Sequence, residues 1–374
     1  MRSEYLIDHL LGLHVYTYPF QGKIEARVPR PQGFTVSEIL LGSESCRTLF
    51  QRCISNTTTI SSTEFPIATV VIQKVNISTL DAARLLSKAM MCRDYEYLGL
   101  KDTNAVAYQV LLLYNCKRPT KIYRSKNLTA CIISESIPLQ HEGNEFSILI
   151  ELEDKSCVQE LLRRVAAVSR GLLNFFGYQR FGILRPLNHE LGKLLLLDME
   201  ELAIRVLCTH YRRSIPRRGY EHRICVSGQI PHFLKVLFLE SYQSYLFNRA
   251  LSMLWIDTID SLDPRQAVEA LRGMLIPIPG YRSIKRVLRS MPRLAALLDS
   301  VLSVEGFTIK EFEHFTKRKR LPGAFRRAVV TPQFLKVEAL ENTKVLLEFR
   351  LPSGSYATIL LREILRCEPT KYAA

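Results

Sequence analysis

Apolar residues along the chain follow two rhythms, and each rhythm predicts a different kind of element. Alternation with a period of two runs through Gly33 to Leu40 (GFTVSEIL), and Ile67 to Ile77 is dense in β-branched residues, so both read as strands. Glu145 to Glu153 (EFSILIELE) and the stretch FLKVEALENTKVLLEFRLP after Pro332 repeat that texture. Helical spacing appears between them. Leu80, Ala83, Leu86 and Met90 recur on one face behind Ser78, whose hydroxyl suits an N-cap with Asp81 three residues on. Val158, Leu161, Leu162, Val165 and Val168 predict a helix from about Cys157 to Leu173, and a last helix is expected near Ala357 to Leu365.

From about residue 186 to 330 the texture changes. LGKLLLLDMEELAIRVL and FLKVLFLESYQSYLFNRALSMLW read as helices, separated by loops marked by Pro216, Pro231, Pro277, Pro279 and Pro322. Residues 188 to 330 hold 23 Lys or Arg against 14 Asp or Glu, a net of +9. The order predicts an α/β unit, residues 1–185 and 331–374, interrupted by a helical, basic insertion at 186–330. Neither internal repeats nor low-complexity tracts occur.

Composition narrows the partners. The chain has 374 residues, 47% of them apolar, enough for a large core and more than one domain. It carries 51 Lys or Arg against 36 Asp or Glu, giving +15 and favouring a polyanionic partner. Nine scattered cysteines without a CxxC pair predict reduced, mostly buried thiols. Cys208, His210, His222 and Cys225 lack the spacing of a common zinc module, so no metal is expected. The N-terminus is broken by Glu4, Asp8, His9 and His14, unlike a signal peptide, and no apolar stretch reaches membrane-spanning length. The expected setting is the cytoplasm.

The chemistry concentrates in a short loop. Tyr97 to Gln109 reads YLGLKDTNAVAYQ, placing Asp102 beside Lys101 between two runs, YEYL and AVAYQVLLLY, that read as strands. A cation beside a carboxylate keeps it ionised and available as a base or nucleophile. A solvated hairpin with a chance Lys-Asp pair is the plainer alternative. Two further segments bear on the choice: Asn174 to Gly182 (NFFGYQRFG) and Leu351 to Glu363 (LPSGSYATILLRE). Gly99, Lys101, Asp102, Ala105 and Gln109, together with these segments and Phe34, Val36 and Glu38 upstream, resemble the signature motifs of the TruD family of pseudouridine synthases. Weaker echoes are Pro279 to Tyr281 (PGY) and Phe238 to Leu251. The resemblance spans nearly the whole chain.

That resemblance implies a mixed, largely antiparallel-sheet catalytic domain of α+β type, interrupted by a family-specific insertion domain. It implies a cofactor-independent enzyme that isomerises a flipped-out uridine in tRNA, expected at position 13 of the D arm. Other structured RNAs are further candidate substrates, and a monomer is expected. Asp102 would be the catalytic carboxylate, acting at ribose C1′ or as a base on a ribose proton. Lys101, Asn174, Phe176, Tyr356 and Arg27 would bind substrate, Phe176 as the pocket aromatic. Gln179, Arg180 and Phe181 would brace their motif. The sequence departs from the family pattern at Thr103 and Ala107, and Gln32-Gly33 replaces the usual Glu-Asp. Val28 stands at the spacing of the family's upstream basic residue, with Arg27 and Arg30 close by. The basic runs, notably Arg217, Arg218 and Lys317, Arg318, Lys319, Arg320, are expected to contact RNA. A non-catalytic RNA-binding protein or RNA chaperone with the same fold is the alternative. A methyltransferase is disfavoured because no glycine-rich cofactor loop is present.

Overall fold

The computed structural model describes residues 1–40, 42, 44–55, 65–133, 139–182, 185–211, 220–341 and 343–373. Its strands, in chain order, are β1 (Ala26–Arg27), β2 (Phe34–Leu40), β3 (Phe65–Val75), β4 (Asp94–Tyr97), β5 (Val106–Cys116), β6 (Ile122–Arg124) and β7 (Leu128–Ile132). They continue as β8 (His141–Leu152), β9 (Leu172–Leu173), β10 (Leu275–Ile278), β11 (Ala324–Arg327), β12 (Val329–Val330), β13 (Gln333–Glu341) and β14 (Lys344–Pro352). Ten of them form one sheet in the order β13-β14-β8-β2-β5-β3-β7-β6, with β1 added on β8 and β4 on β5. Its neighbours are antiparallel except for β2 and β5, which run parallel. The expectation of a mixed, largely antiparallel sheet holds.

Strand alternation decides what the sheet covers. Ala68, Val70 and Ile72 of β3 face the helix Thr79–Ala89, where they pack on Ala82, Ala83 and Leu86. The Ser78 hydroxyl accepts a hydrogen bond from Asp81 N at 3.0 Å, so the predicted cap is present. On the other side of the sheet's centre, Phe146, Ile148 and Ile150 of β8 belong to a core that continues without a break to Trp255 and Phe312. The helix His232–Ile259 carries that core into the helix-rich stretch, because it buries residues all round, among them Phe238, Tyr242, Leu246 and Trp255.

Several expected boundaries shift for identifiable reasons. The helix from Cys157 ends at Val168, not Leu173, because Gly171 takes φ +132° and turns the chain. Leu172 and Leu173 then pair as β9 with Val330 and Val329 of β12. This short ladder joins the chain before the helix-rich stretch to the end of that stretch. LGKLLLLDMEELAIRVL divides into Asn188–Leu196 and Glu200–Tyr211, separated where Asp198 adopts φ +62°.

The expectation of reduced cysteines is overturned for six of the nine. Disulfides join Cys53 to Cys131, Cys92 to Cys116, and Cys208 to Cys225. Cys92 lies opposite Cys116 because β4 pairs antiparallel with β5, Asp94 facing Tyr114. Separations of 78, 24 and 17 residues give no local sign of such pairings; the folded chain supplies it. The Cys208–Cys225 bond also takes both sulfurs from the zinc alternative.

A candidate active site at the Asp102 loop

Asp102 projects from the connection between β4 and β5, as the flanking apolar runs predict. Four side chains, one from each of four elements, hold that connection. Lys74, at the end of β3, donates from its ammonium to the carbonyl oxygens of Asp102 (2.7 Å), Lys101 (3.4 Å) and Ile77 (3.0 Å). Thr79 accepts from the Lys101 amide at 3.1 Å and donates to Gln109 Oε1 at 2.9 Å. Gln109 in turn donates to Gly99 O at 3.3 Å. Glu38 of β2 is fully buried, accepts from Val110 N at 3.0 Å and forms an ion pair with Lys101 at 2.8 Å.

This geometry reassigns the cations. Lys101, expected to bind substrate, lines the cleft over Asp102 and pairs with buried Glu38 at 2.8 Å. Arg27 sits on β1 with its side chain 73% exposed, paired to Glu151, and so stands apart from Asp102. Arg30 takes the place expected of Arg27. Its guanidinium lies 3.4 Å from Asp102 Oδ2, donates to Asn104 O (3.0 Å) and Tyr372 O (3.2 Å), and stacks on Phe34 at 3.8 Å. Burial draws the Arg30 pKa down while Asp102 pushes it back up. Sequence spacing alone separates Arg27 from Arg30 by only three positions, too little to decide between them.

A cleft of about 520 Å³ opens over Asp102, lined by Phe34, Val36, Phe146, Gln179, Tyr356 and Thr358 among others. Gln179 was expected only to brace its motif. Its amide reaches Asp102 Oδ2 at 3.5 Å, while its Oε1 accepts from the Thr358 hydroxyl at 2.9 Å. Tyr356 stands at the N-terminus of the helix Ala357–Leu365 and gives the cleft its aromatic wall. Gly177 permits this arrangement, since a Cβ there would come within 2.8 Å of the Tyr356 ring.

Phe176 is not in that cleft. It lines a neighbouring one of about 660 Å³, bounded by Leu239, Gln243, Ile278 and Leu321, and the two share Arg180. The Phe176 ring meets Tyr356 and Phe247 edge-on, at 6.1 and 5.4 Å, and Arg326 lies over it at 4.2 Å. Asn174 is equally committed to Arg326. Its Oδ1 accepts from Arg326 Nη2 at 2.7 Å and from Ser355 at 3.2 Å, and its Nδ2 donates to Arg327 O at 3.1 Å. Arg326 bonds otherwise only to main-chain oxygens, and burial draws its pKa down to about 10. Arg180 pairs with Glu240 at 2.9 Å, the bracing role expected of it.

The basic runs divide. Arg318 and Lys319 both close on Asp198, at 2.5 Å each, whereas Lys317 and Arg320 are exposed and, among the described residues, have no ion pair. Arg217 and Arg218 lie outside the described residues. Among the described residues, no group of three or more His, Cys, Asp or Glu could hold a metal ion, and no helix is long and apolar enough to cross a membrane.

Comparison with known proteins agrees with these motifs. The family model for tRNA pseudouridine synthase D (TruD) matches residues 11–228 and 274–364. The chain is 28% identical to the "Probable tRNA pseudouridine synthase D" of Pyrobaculum aerophilum, covering 98% of each sequence. Its identity to the protein of the same name from Saccharolobus solfataricus is 27%, again over 98% of both. A crystal structure of a candidate TruD from Methanosarcina mazei superposes with a TM-score of 0.59 at 18% identity, covering 97% of this chain and 98% of that one. That last likeness speaks for the fold.

Proposed function

The chain belongs to the TruD family of tRNA pseudouridine synthases, and we propose that it isomerises uridine 13 of tRNA with Asp102 as the reacting carboxylate. The observation that carries this reading is the Asp102 carboxylate, held beside a guanidinium in a cleft with an aromatic wall. The reaction breaks ribose C1′–N1, turns the uracil, and forms C1′–C5, while C5 loses a proton and N1 gains one. Nothing is oxidised or hydrolysed overall. One carboxylate therefore suffices, as a nucleophile at C1′ or as a base toward a ribose proton, and no cofactor is called for.

Before reaction the uridine leaves the RNA stack, which costs a few kcal/mol. The cleft supplies what offsets this: Tyr356 and the apolar edges of Phe34, Val36 and Phe146 for the base, with the Arg30 guanidinium beside Asp102 Oδ2 to orient the carboxylate. Lys317 and Arg320, on the helix-rich stretch, offer exposed charge to the phosphate backbone. We place this stretch, residues 186–330, as the insertion domain that docks tRNA, and the enzyme with its substrate in the cytoplasm as a monomer.

Incubation of unmodified tRNA with the purified protein, followed by pseudouridine mapping, tests the proposal. Pseudouridine at position 13, formed without added metal or cofactor, is the expected product. A tRNA that stays unmodified at 13 but is modified elsewhere would correct the position. No modification at any uridine of a folded tRNA would sink the assignment.

A further inference from the structure

Lys74 is a buried cation that, among the described residues, bonds to carbonyl oxygens and to no carboxylate. It follows Ala68, Val70 and Ile72 at the alternating inward positions of β3, so the strand's last inward place goes to a charge instead of an apolar group. Burying an ammonium there is costly, and the structure compensates with three carbonyl oxygens, those of Ile77, Lys101 and Asp102. Two of the three belong to the catalytic loop, and the shortest bond, 2.7 Å, is to the carbonyl of Asp102 itself.

We propose that Lys74 is a positioning residue for isomerisation: its ammonium ties down the main chain at Lys101 and Asp102 and thereby sets where the Asp102 carboxylate points. The inference rests on Asp102 being the reacting group. All three N–H bonds of the ammonium are used, so loss of one proton would leave a lone pair facing a carbonyl oxygen. Burial lowers the Lys74 pKa to about 8, with Asp102 raising it and Lys101 lowering it further. The other charges facing this corner are already paired, Lys101 with Glu38 and Asp102 with Arg30. The lysine is thus charged, and the loop fully held, below that pKa; the hold weakens as pH rises through it.

The test compares wild type with Lys74→Met and Lys74→Arg in single-turnover reactions on tRNA, each normalised to its folded fraction, from about pH 6 to 9.5. The Met variant should lose about ten- to a hundredfold in rate at neutral pH while binding tRNA as before, the cost of a reacting group slightly misplaced. As pH rises, the wild-type rate should fall toward that of the Met variant, and the two profiles should converge. The Arg variant, if folded, should keep its rate across the alkaline range. The ratio between proteins cancels titration of the uracil. Should neither variant fold, ¹⁵N-lysine NMR of the wild type takes over: the Lys74 midpoint must coincide with the midpoint of the alkaline fall in rate. Parallel pH profiles, unchanged Met-variant rates, or separated midpoints would overturn the inference. Asp102→Asn, run alongside, tells the failures apart, because an active Asn variant removes the premise and an inactive one leaves Lys74 to stand or fall alone.

Discussion

The Asp102 loop and the run Lys317–Arg320 both gather charge, and they hold it in opposite ways. Around Asp102 the supports are buried and come from distant parts of the chain: Glu38 from β2, Lys74 from β3, Arg30 from the segment before β2. Arg30 and Lys101 are only 5% and 7% exposed. In the basic run, Arg318 is 51% exposed and shares one surface carboxylate with Lys319, while their neighbours on either side are exposed and have no ion pair among the described residues. Fixed dipoles and charges help a reacting group because they need no rearrangement when the reaction occurs. Charges that meet phosphate gain more by staying solvated and exchangeable, since their contribution is counterion release. The difference predicts large, salt-insensitive effects at the loop and small, salt-sensitive ones at the run.

The largest effect should come from Asp102→Asn, which keeps the side chain's shape and removes its charge. Turnover should disappear with tRNA affinity nearly unchanged. Retention of more than about a tenth of the wild-type rate, a barrier increase below about 1.4 kcal/mol, would show that Asp102 does not do the chemistry. Next comes Arg30→Met. It removes the guanidinium beside Asp102 Oδ2 and frees Asn104 O and Tyr372 O, so a loss of about ten- to a hundredfold is expected. Arg27→Met, three residues away on the solvent side, should leave the single-turnover rate alone. Equal losses at the two positions would break the reassignment of the upstream cation.

Phe176 offers a sharper test because sequence and structure give it different neighbours. Phe176→Ala should slow the reaction about tenfold or more, within the range of about 1–3 kcal/mol for a base-stacking aromatic. In the structure the ring backs Tyr356 and carries Arg326, so Phe176→Leu, which keeps apolar bulk, should recover most of that loss. A Leu variant as slow as the Ala variant, with circular dichroism showing both folded, would put the uracil on the Phe176 ring in place of Arg326.

Much of this site was readable before any coordinates. The alternation in GFTVSEIL and the β-branched run before Val75 placed β2 and β3, and the Ser78 cap placed the helix after them. The loop between two apolar runs located Asp102. What stayed hidden was the direction of the side chains. Lys101 is adjacent to Asp102 in sequence, yet its ammonium pairs with Glu38 of β2, a partner that only the folded chain brings beside the loop. Lys74 did leave a trace, a lysine at the fourth inward position of ATVVIQK, which strand alternation could have exposed. Arg326, the disulfides and the β9–β12 ladder depend on contacts across long separations, and no local pattern encodes them.

The smallest effects belong to the basic run, and there the pairing seen in the structure makes a differential prediction. Lys317→Gln with Arg320→Gln removes two exposed charges that have no ion pair among the described residues. If each meets a phosphate, the plot of log affinity against log salt should flatten by about 0.7–0.9 per contact, and saturating tRNA should restore turnover. Arg318→Gln with Lys319→Gln removes the same formal charge, but both side chains are already spent on Asp198. The local charge falls from +1 to −1 as Asp198 is left unpaired, but no phosphate contact is lost if both cations stay on Asp198 in the complex, and exposed pairs of this kind contribute only about 0–1 kcal/mol. Fluorescence-anisotropy titrations at several salt concentrations should therefore give a clearly reduced slope for the first pair and a nearly wild-type slope for the second. Equal slopes for the two variants would mean that tRNA displaces Asp198 on binding, so that the run acts as one patch and the ion pairs exist only in the free protein.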